Sequence, residues 1–139
     1  MTRKCLMQPE NLLYAKTHEW VGIETNTSGG KIATVGLSEF ALKALTDLVF
    51  IDLPEVGDNV EAGESFGEIE SVKAVSALYS PVTGEVVAVN DSVGNQLETL
   101  GQDPYNDGWF VKIKFANKEE LDQLLDFTAY QKFCESEAH

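Results

Sequence analysis

Few side chains in this sequence combine the type and the setting that chemistry requires, and the clearest of them is Lys73. It lies near the middle of residues 66–77. Two similar segments bracket that stretch: Val56-Gly57-Asp58-Asn59-Val60-Glu61-Ala62-Gly63-Glu64 and Tyr79-Ser80-Pro81-Val82-Thr83-Gly84-Glu85-Val86-Val87. Each bracket joins a strand edge to a tight glycine turn, which reads as a hairpin whose arms enter the core on either side of one exposed tip. Periodicity alone leaves the question open. Hydrophobic parity breaks across Phe66-Gly67-Glu68-Ile69-Glu70-Ser71-Val72, and the tip has no Asn-Gly pair of the kind that favours a tight turn. One long irregular strand, with Lys73 as an ordinary solvated residue, is the competing reading.

The remaining candidates exclude more than they suggest. His18 and His139 are the only histidines, and Cys5 and Cys134 stand near opposite ends, so no metal-ligand spacing is present. The cysteines read as free thiols in a reducing compartment. A net charge of −13 speaks against a phosphate-binding surface, since nucleic-acid binders need a dense basic face. The acidic surface either aids solubility alone or suits partners with basic patches. No apolar run approaches membrane-spanning length. Arg3 and Lys4 are the only early cations, too few for a transit peptide. That points to a bacterial cytoplasm, with the mitochondrial matrix as the alternative for a processed form.

The elements that must position Lys73 follow from pattern. At 139 residues the chain is sized for one domain, 1–139, with a loose lead-in over 1–11 and a helical tail over 116–139. Order is expected to begin near Leu12. Trp20, Val21 and Ile23 form a first strand, a turn follows over 25–30, and the β-branched run Lys31–Leu37 completes a hairpin. Ser38 suits the N-cap of a helix over 39–45, whose Phe40, Ala44 and Ala41/Leu45 pair should face the sheet. Residues 48–53 read as strand, ended by Pro54. From Glu55 onward Gly57, Gly63, Gly67 and Gly84 divide the chain into the short strands of a small all-β barrel or sandwich. Over 109–115, Trp109, Val111, Ile113 and Phe115 share one face, with Lys112 and Lys114 on the other. Asn117 and Glu120 predict a capping-box variant for a helix that buries Leu121, Leu124 and Leu125. Thr128 starts a last short helix carrying Tyr130 and Phe133.

Two of these stretches carry a likeness. Glu70-Ser71-Val72-Lys73-Ala74, followed by Tyr79-Ser80-Pro81-Val82-Thr83-Gly84-Glu85-Val86, resembles the modification hairpin of lipoyl-bearing carrier domains. More narrowly, the chain resembles the H-protein family of the glycine cleavage system from about Tyr14 to Phe133. The likeness includes Lys16-Thr17-His18-Glu19-Trp20-Val21, Ala33-Thr34-Val35-Gly36-Leu37 and Asp47-Leu48-Val49-Phe50. Leu53-Pro54-Glu55-Val56-Gly57, Asp103-Pro104-Tyr105 and Gly108-Trp109 continue it, and their order and spacing are more specific than any one motif. Two loops depart from the family: residues 95–103, where Gln96 stands in place of a proline and the loop is longer, and the extended 25–30 turn.

The resemblance implies a mainly β fold, a small barrel-sandwich hybrid with an N-terminal hairpin, one short internal helix and C-terminal helices. It implies lipoic acid in amide linkage to Lys73, with Glu70, Val72 and Ala74 recognised by the lipoate-attaching enzyme. It implies a carrier with no catalysis of its own. That carrier takes the aminomethyl group from a pyridoxal-phosphate glycine decarboxylase to a tetrahydrofolate-dependent aminomethyltransferase, and reducing equivalents to dihydrolipoamide dehydrogenase. Glu19 then stands where a loaded arm would bring its charged end; the plainer reading is that His18-Glu19-Trp20 starts the first strand and anchors the core. Glu70 is likewise either a recognition residue or one more exposed acid. A monomer forming transient complexes is expected, without nucleic acid, membrane or metal.

Rival readings share the hairpin. Biotin carriers typically hold their lysine between methionines, whereas Val72 and Ala74 flank it here. Lipoyl domains of 2-oxoacid dehydrogenase complexes usually hang on Pro/Ala-rich linkers, and this sequence has none. A lipoyl donor that passes the cofactor to other enzymes, or an unmodified interaction barrel, would look the same at the tip.

Overall fold

The β-branched runs near the start of the chain behave as their pattern predicts. In the computed structural model, β2 (Glu19–Thr25) pairs antiparallel with β3 (Lys31–Leu37), from Glu19↔Leu37 to Thr25↔Lys31. A two-residue strand, β1 (Leu13–Tyr14), lies on the outer side of β2. The structure describes residues 12–25, 31–45, 47–91, 93, 97, 105, 108–115 and 118–137. The expected lead-in, the turn at 26–30 and most of the divergent 95–103 loop lie outside the described residues.

Ser38 caps α1 (Glu39–Leu45) as expected: its Oγ accepts from the Ala41 N–H at 3.3 Å and its carbonyl from the Leu42 N–H at 3.1 Å. The buried face is a correction. Ala41 and Leu45 pack on the core, but the fully packed residue is Leu42, and Phe40 turns to a second cluster. With apolar residues at 40, 41, 42, 44 and 45, spacing cannot select one stripe in so short a helix.

Two sheets complete the architecture. β4 (Leu48–Asp52), β6 (Ser65–Ser71) and β7 (Val75–Tyr79) form a three-stranded sheet in the order β4-β6-β7. β5 (Asn59–Val60), β8 (Gly84–Val89) and β9 (Val111–Phe115) extend the first hairpin into a six-stranded sheet, β1-β2-β3-β9-β8-β5. Val21, Val35, Ile51, Ile69, Leu78, Val86 and Ile113 bring both sheets into one apolar core. The fold is mainly β, as expected, and the two sheets do not close into a barrel.

Element ends account for the other corrections. The alternation predicted over 109–115 holds only from Val111. Phe110 is fully buried, and Trp109 is partly exposed, with Lys112 Nζ 5.3 Å from its ring centroid. Long-range bonds hold this pair outside the regular strand: the Phe110 N–H donates to Val35 O at 2.8 Å, and Asn90 Nδ2 donates to Trp109 O at 2.8 Å. The capping box is also overturned. Residues Lys118–Gln123 form a 3-10 helix, and the Glu120 carboxylate turns instead to Thr83, accepting its N–H at 2.7 Å and its hydroxyl at 2.6 Å. Two charge-assisted bonds outweigh one backbone cap; Asn117 lies outside the described residues. The last helix, α2 (Phe127–Glu137), starts before Thr128 because Asp126 caps it, accepting from the Ala129 N–H at 2.8 Å.

α2 seals a second cluster of Leu12, Tyr14, Trp20, Tyr130 and Cys134. Tyr14 stacks on Tyr130 with ring centroids 4.3 Å apart. Cys134 is buried in this cluster, and Cys5 lies outside the described residues.

Candidate functional site

The stretch around Lys73 is a hairpin, not one long strand. β6 and β7 pair from Ser65↔Tyr79 to Glu70↔Val75, and the chain reverses through Val72-Lys73-Ala74. A register shift between Ser65 and Gly67 explains the broken parity, since a bulge lets Phe66 and Ile69 both turn inward. The turn is made by a side chain. Ser71 Oγ accepts from the Lys73 N–H at 3.3 Å and the Ala74 N–H at 3.2 Å, while the Ser71 N–H donates to Ala74 O at 2.8 Å. No turn residue has a positive φ. A hydroxyl that gathers the turn amides replaces the Asn-Gly pair of a primed turn. Sequence reasoning quoted Ser71 without giving it this role; a serine just before the reversal was the available signal.

The tip is also tied sideways. The Val72 N–H donates to Asp47 O at 3.1 Å, which fastens the turn to the start of β4. Val72, Lys73 and Ala74 are all exposed, and Glu70 is half-buried. The two bracketing segments meet each other at the hairpin's root. Gly57 N–H reaches Val86 O and Gly63 N–H reaches Ser80 O, both at 2.8 Å, with Asn59↔Glu85 and Val60↔Gly84 between them. Gly57 and Gly63 take φ of +100° and +87°, which side chains rarely tolerate.

Glu19 sits at this root and not at the tip. It has no exposed surface; Oε2 accepts from the Tyr79 N–H at 2.9 Å, and Oε1 accepts from the Thr17 hydroxyl. Burial pushes its carboxyl up to about 7, against the lowering effect of those hydrogen bonds. Glu19 and the fully buried Trp20 begin β2 and anchor the fold, as the plainer reading expected. His18 precedes them at a φ of +82°. Its Nδ1 is 2.7 Å from the Tyr130 hydroxyl, which is 2.5 Å from Ser38 Oγ.

Between these parts runs a groove of about 240 Å³ lined by Thr17, Phe40, Ala41, Leu45, Ala77 and Leu78 among others. A larger hollow of about 450 Å³ lies at the root, between Thr17, Tyr79, Pro81, Glu120 and Leu124. Among the described residues no group of His, Cys, Asp and Glu is placed to hold a metal ion. No helix of the described residues is long and apolar enough to cross a membrane.

Lys73 stands exposed on a rooted hairpin, and an apolar groove runs beside β7. Comparison with known proteins gives the family. Residues 12–137 match the family described as Glycine cleavage H-protein. The glycine cleavage system H protein of Rhodopirellula baltica is 53% identical over 126 residues, 91% of this chain and 94% of that protein. That of Carboxydothermus hydrogenoformans is 46% identical, over 93% of this chain and 95% of that protein. The crystal structure of the Mycobacterium marinum glycine cleavage system H protein superimposes with a TM-score of 0.79 at 34% identity, covering 95% of this chain and all of that one. The chain belongs to the glycine cleavage H-protein family, lipoyl carriers that serve as a non-catalytic subunit.

Proposed function

We propose that Lys73 carries a lipoyl group in amide linkage, and that the chain moves an aminomethyl group between the enzymes of the glycine cleavage system. The observation that carries this reading is the exposed Lys73 on a turn locked by Ser71 and Asp47. The residues fit such a group: Lys73 offers an amine on a flexible stem, and Ala41, Leu45, Ala77 and Leu78 line an apolar groove beside β7. A bound lipoyl group would supply a dithiolane whose disulfide opens to a carbon nucleophile and is later re-formed by thiol–disulfide chemistry. The chain's own part is positional. Ser71 and Asp47 fix the backbone under the lysine, and the paired brackets hold the hairpin's root against the core. Glu19 serves this reading from behind the Thr17 hydroxyl; it reaches the charged end of a loaded arm only when that hydroxyl gives way. Glu70, Val72 and Ala74 form the part an attaching enzyme reads.

The partners in this reading are a pyridoxal-phosphate glycine decarboxylase, a folate-dependent aminomethyltransferase and dihydrolipoamide dehydrogenase. The bacterial relatives support a cytoplasmic setting. Intact-mass measurement of protein made in a lipoate-competent host is expected to show one added lipoyl group, lost in Lys73→Arg. Unmodified wild-type protein under those conditions overturns the proposal. Glycine–bicarbonate exchange with glycine decarboxylase tests the shuttle itself, and its failure with lipoylated protein would favour a lipoyl-donor role.

A further inference from the structure

Resting on the reading of Lys73 as an acylated lysine, we infer that the outer face of the three-stranded sheet is the docking surface for the enzyme that acylates it. This extends recognition from the turn to β4 and β7, with Phe50 and Val75 as its apolar contacts. In the register of the sheet, Phe50, Glu70 and Val75 form one cross-strand row, and Asp52, Glu68 and Ala77 form the next on the same face. Phe50 is 54% exposed and Val75 57%. Val49, at the β4 register shift, and Val72, in the turn, add exposed apolar surface near the tip. The inward row is different in kind: Ile51 and Ile69 are buried in the core. An aromatic and several valines left in water around one reactive lysine mark an interaction site more than a solubility surface.

The occupant follows from reach and charge. An unmodified Lys73 presents its amine on a four-carbon stem, so an acylating enzyme must bring its own centre to the tip and cover what surrounds it. Enzymes that use a loaded arm are met by a much longer tether and can act at a distance from the sheet. ATP activates the lipoate carboxylate as an acyl adenylate with loss of pyrophosphate; Nζ then bonds to the acyl carbon, the carbon–oxygen bond to AMP breaks, and the proton of Nζ passes to solvent. Glu68, Glu70 and Asp52 make the face acidic between its apolar residues, on a chain whose net charge is −13. The complementary partner surface is apolar with a basic rim. β4 is held in place for this role by Asp47 O, which takes the Val72 N–H from the turn.

The test uses the unmodified full chain, a lipoate-attaching ligase, lipoate and ATP, with initial acylation rates followed by intact mass. F50S/V75S is expected to raise KM at least tenfold with kcat little changed. I23S and V87S, at exposed apolar positions on the six-stranded sheet, should match wild type. Wild-type KM in F50S/V75S, with wild type itself acylated, overturns the docking surface and leaves the Lys73 reading standing. So does normal acylation combined with weakened turnover by glycine decarboxylase, which would assign the face to that enzyme. No acylation of wild type overturns both readings. Should F50S/V75S fold poorly, D52N/E68Q/E70Q carries the test alone. Its KM should rise and lose most of its dependence on salt, and an unchanged salt dependence counts against the proposal.

Discussion

The start of β2 and the tip of the β6–β7 hairpin face opposite demands, and the molecule meets them with opposite chemistry. Around the N-terminal turn, Tyr14, Trp20, Tyr130 and Glu19 are buried; the Tyr130 hydroxyl meets His18 and Ser38, and the Glu19 carboxylate takes the distant Tyr79 N–H besides the nearby Thr17 hydroxyl. Around the hairpin tip, Phe50, Val72 and Val75 are exposed, and the turn is closed by bonds among near neighbours. One region holds the fold together. The other leaves apolar side chains exposed on a turn closed mainly by its own neighbours, with one tie to Asp47 O.

This contrast can be broken by substitution, beginning with the holding region. Trp20→Ala removes a fully buried indole from the second cluster and should cost about 3–5 kcal/mol in chemical denaturation. A loss under 1 kcal/mol would remove the cluster from its structural role. Glu19→Gln should act through pH. Below about 4.5 both folded and unfolded chains carry the proton; between there and about 7 the unfolded chain releases it first. Wild-type stability therefore falls as pH rises through that window, by on the order of 3 kcal/mol. The amide keeps an acceptor for Tyr79 and a donor for Thr17, so Glu19→Gln should flatten the profile when melting is followed from pH 4 to 8.

Smaller effects sharpen the contrast. Tyr130→Phe deletes the hydroxyl between His18 Nδ1 and Ser38 Oγ, and should cost about 1–2 kcal/mol. Val72→Ser at the tip, 71% exposed, should shift stability by no more than about 0.5 kcal/mol. A loss like that of Trp20→Ala at this tip position would mean that the hairpin also carries the fold.

The same division governs what could be read from residues alone. The β2–β3 hairpin and the Ser38 cap were legible because their signals are local: β-branched runs, and a serine one position before a helix. The hairpin span was legible from its glycine brackets, and the family likeness singled out Lys73. The turn itself was not, because a bulge at Ser65–Gly67 hides the period and a serine side chain replaces the usual turn pair. Glu120 and the start of the 109–115 alternation, where Phe110 is buried, were misread for another reason. Their partners, Thr83 and Val35, lie 37 and 75 residues away, and helix or strand periodicity carries no information about such partners.

Glu19 has one more consequence, for association. β7 lies at the border of its sheet, and a bare strand border invites pairing with another molecule. At Tyr79 the outward amide is taken by a carboxylate from β2. A side chain there does what another strand would do, but offers no further edge on which a neighbour could build. At the root of the exposed hairpin, one border amide is thus already satisfied from within the chain.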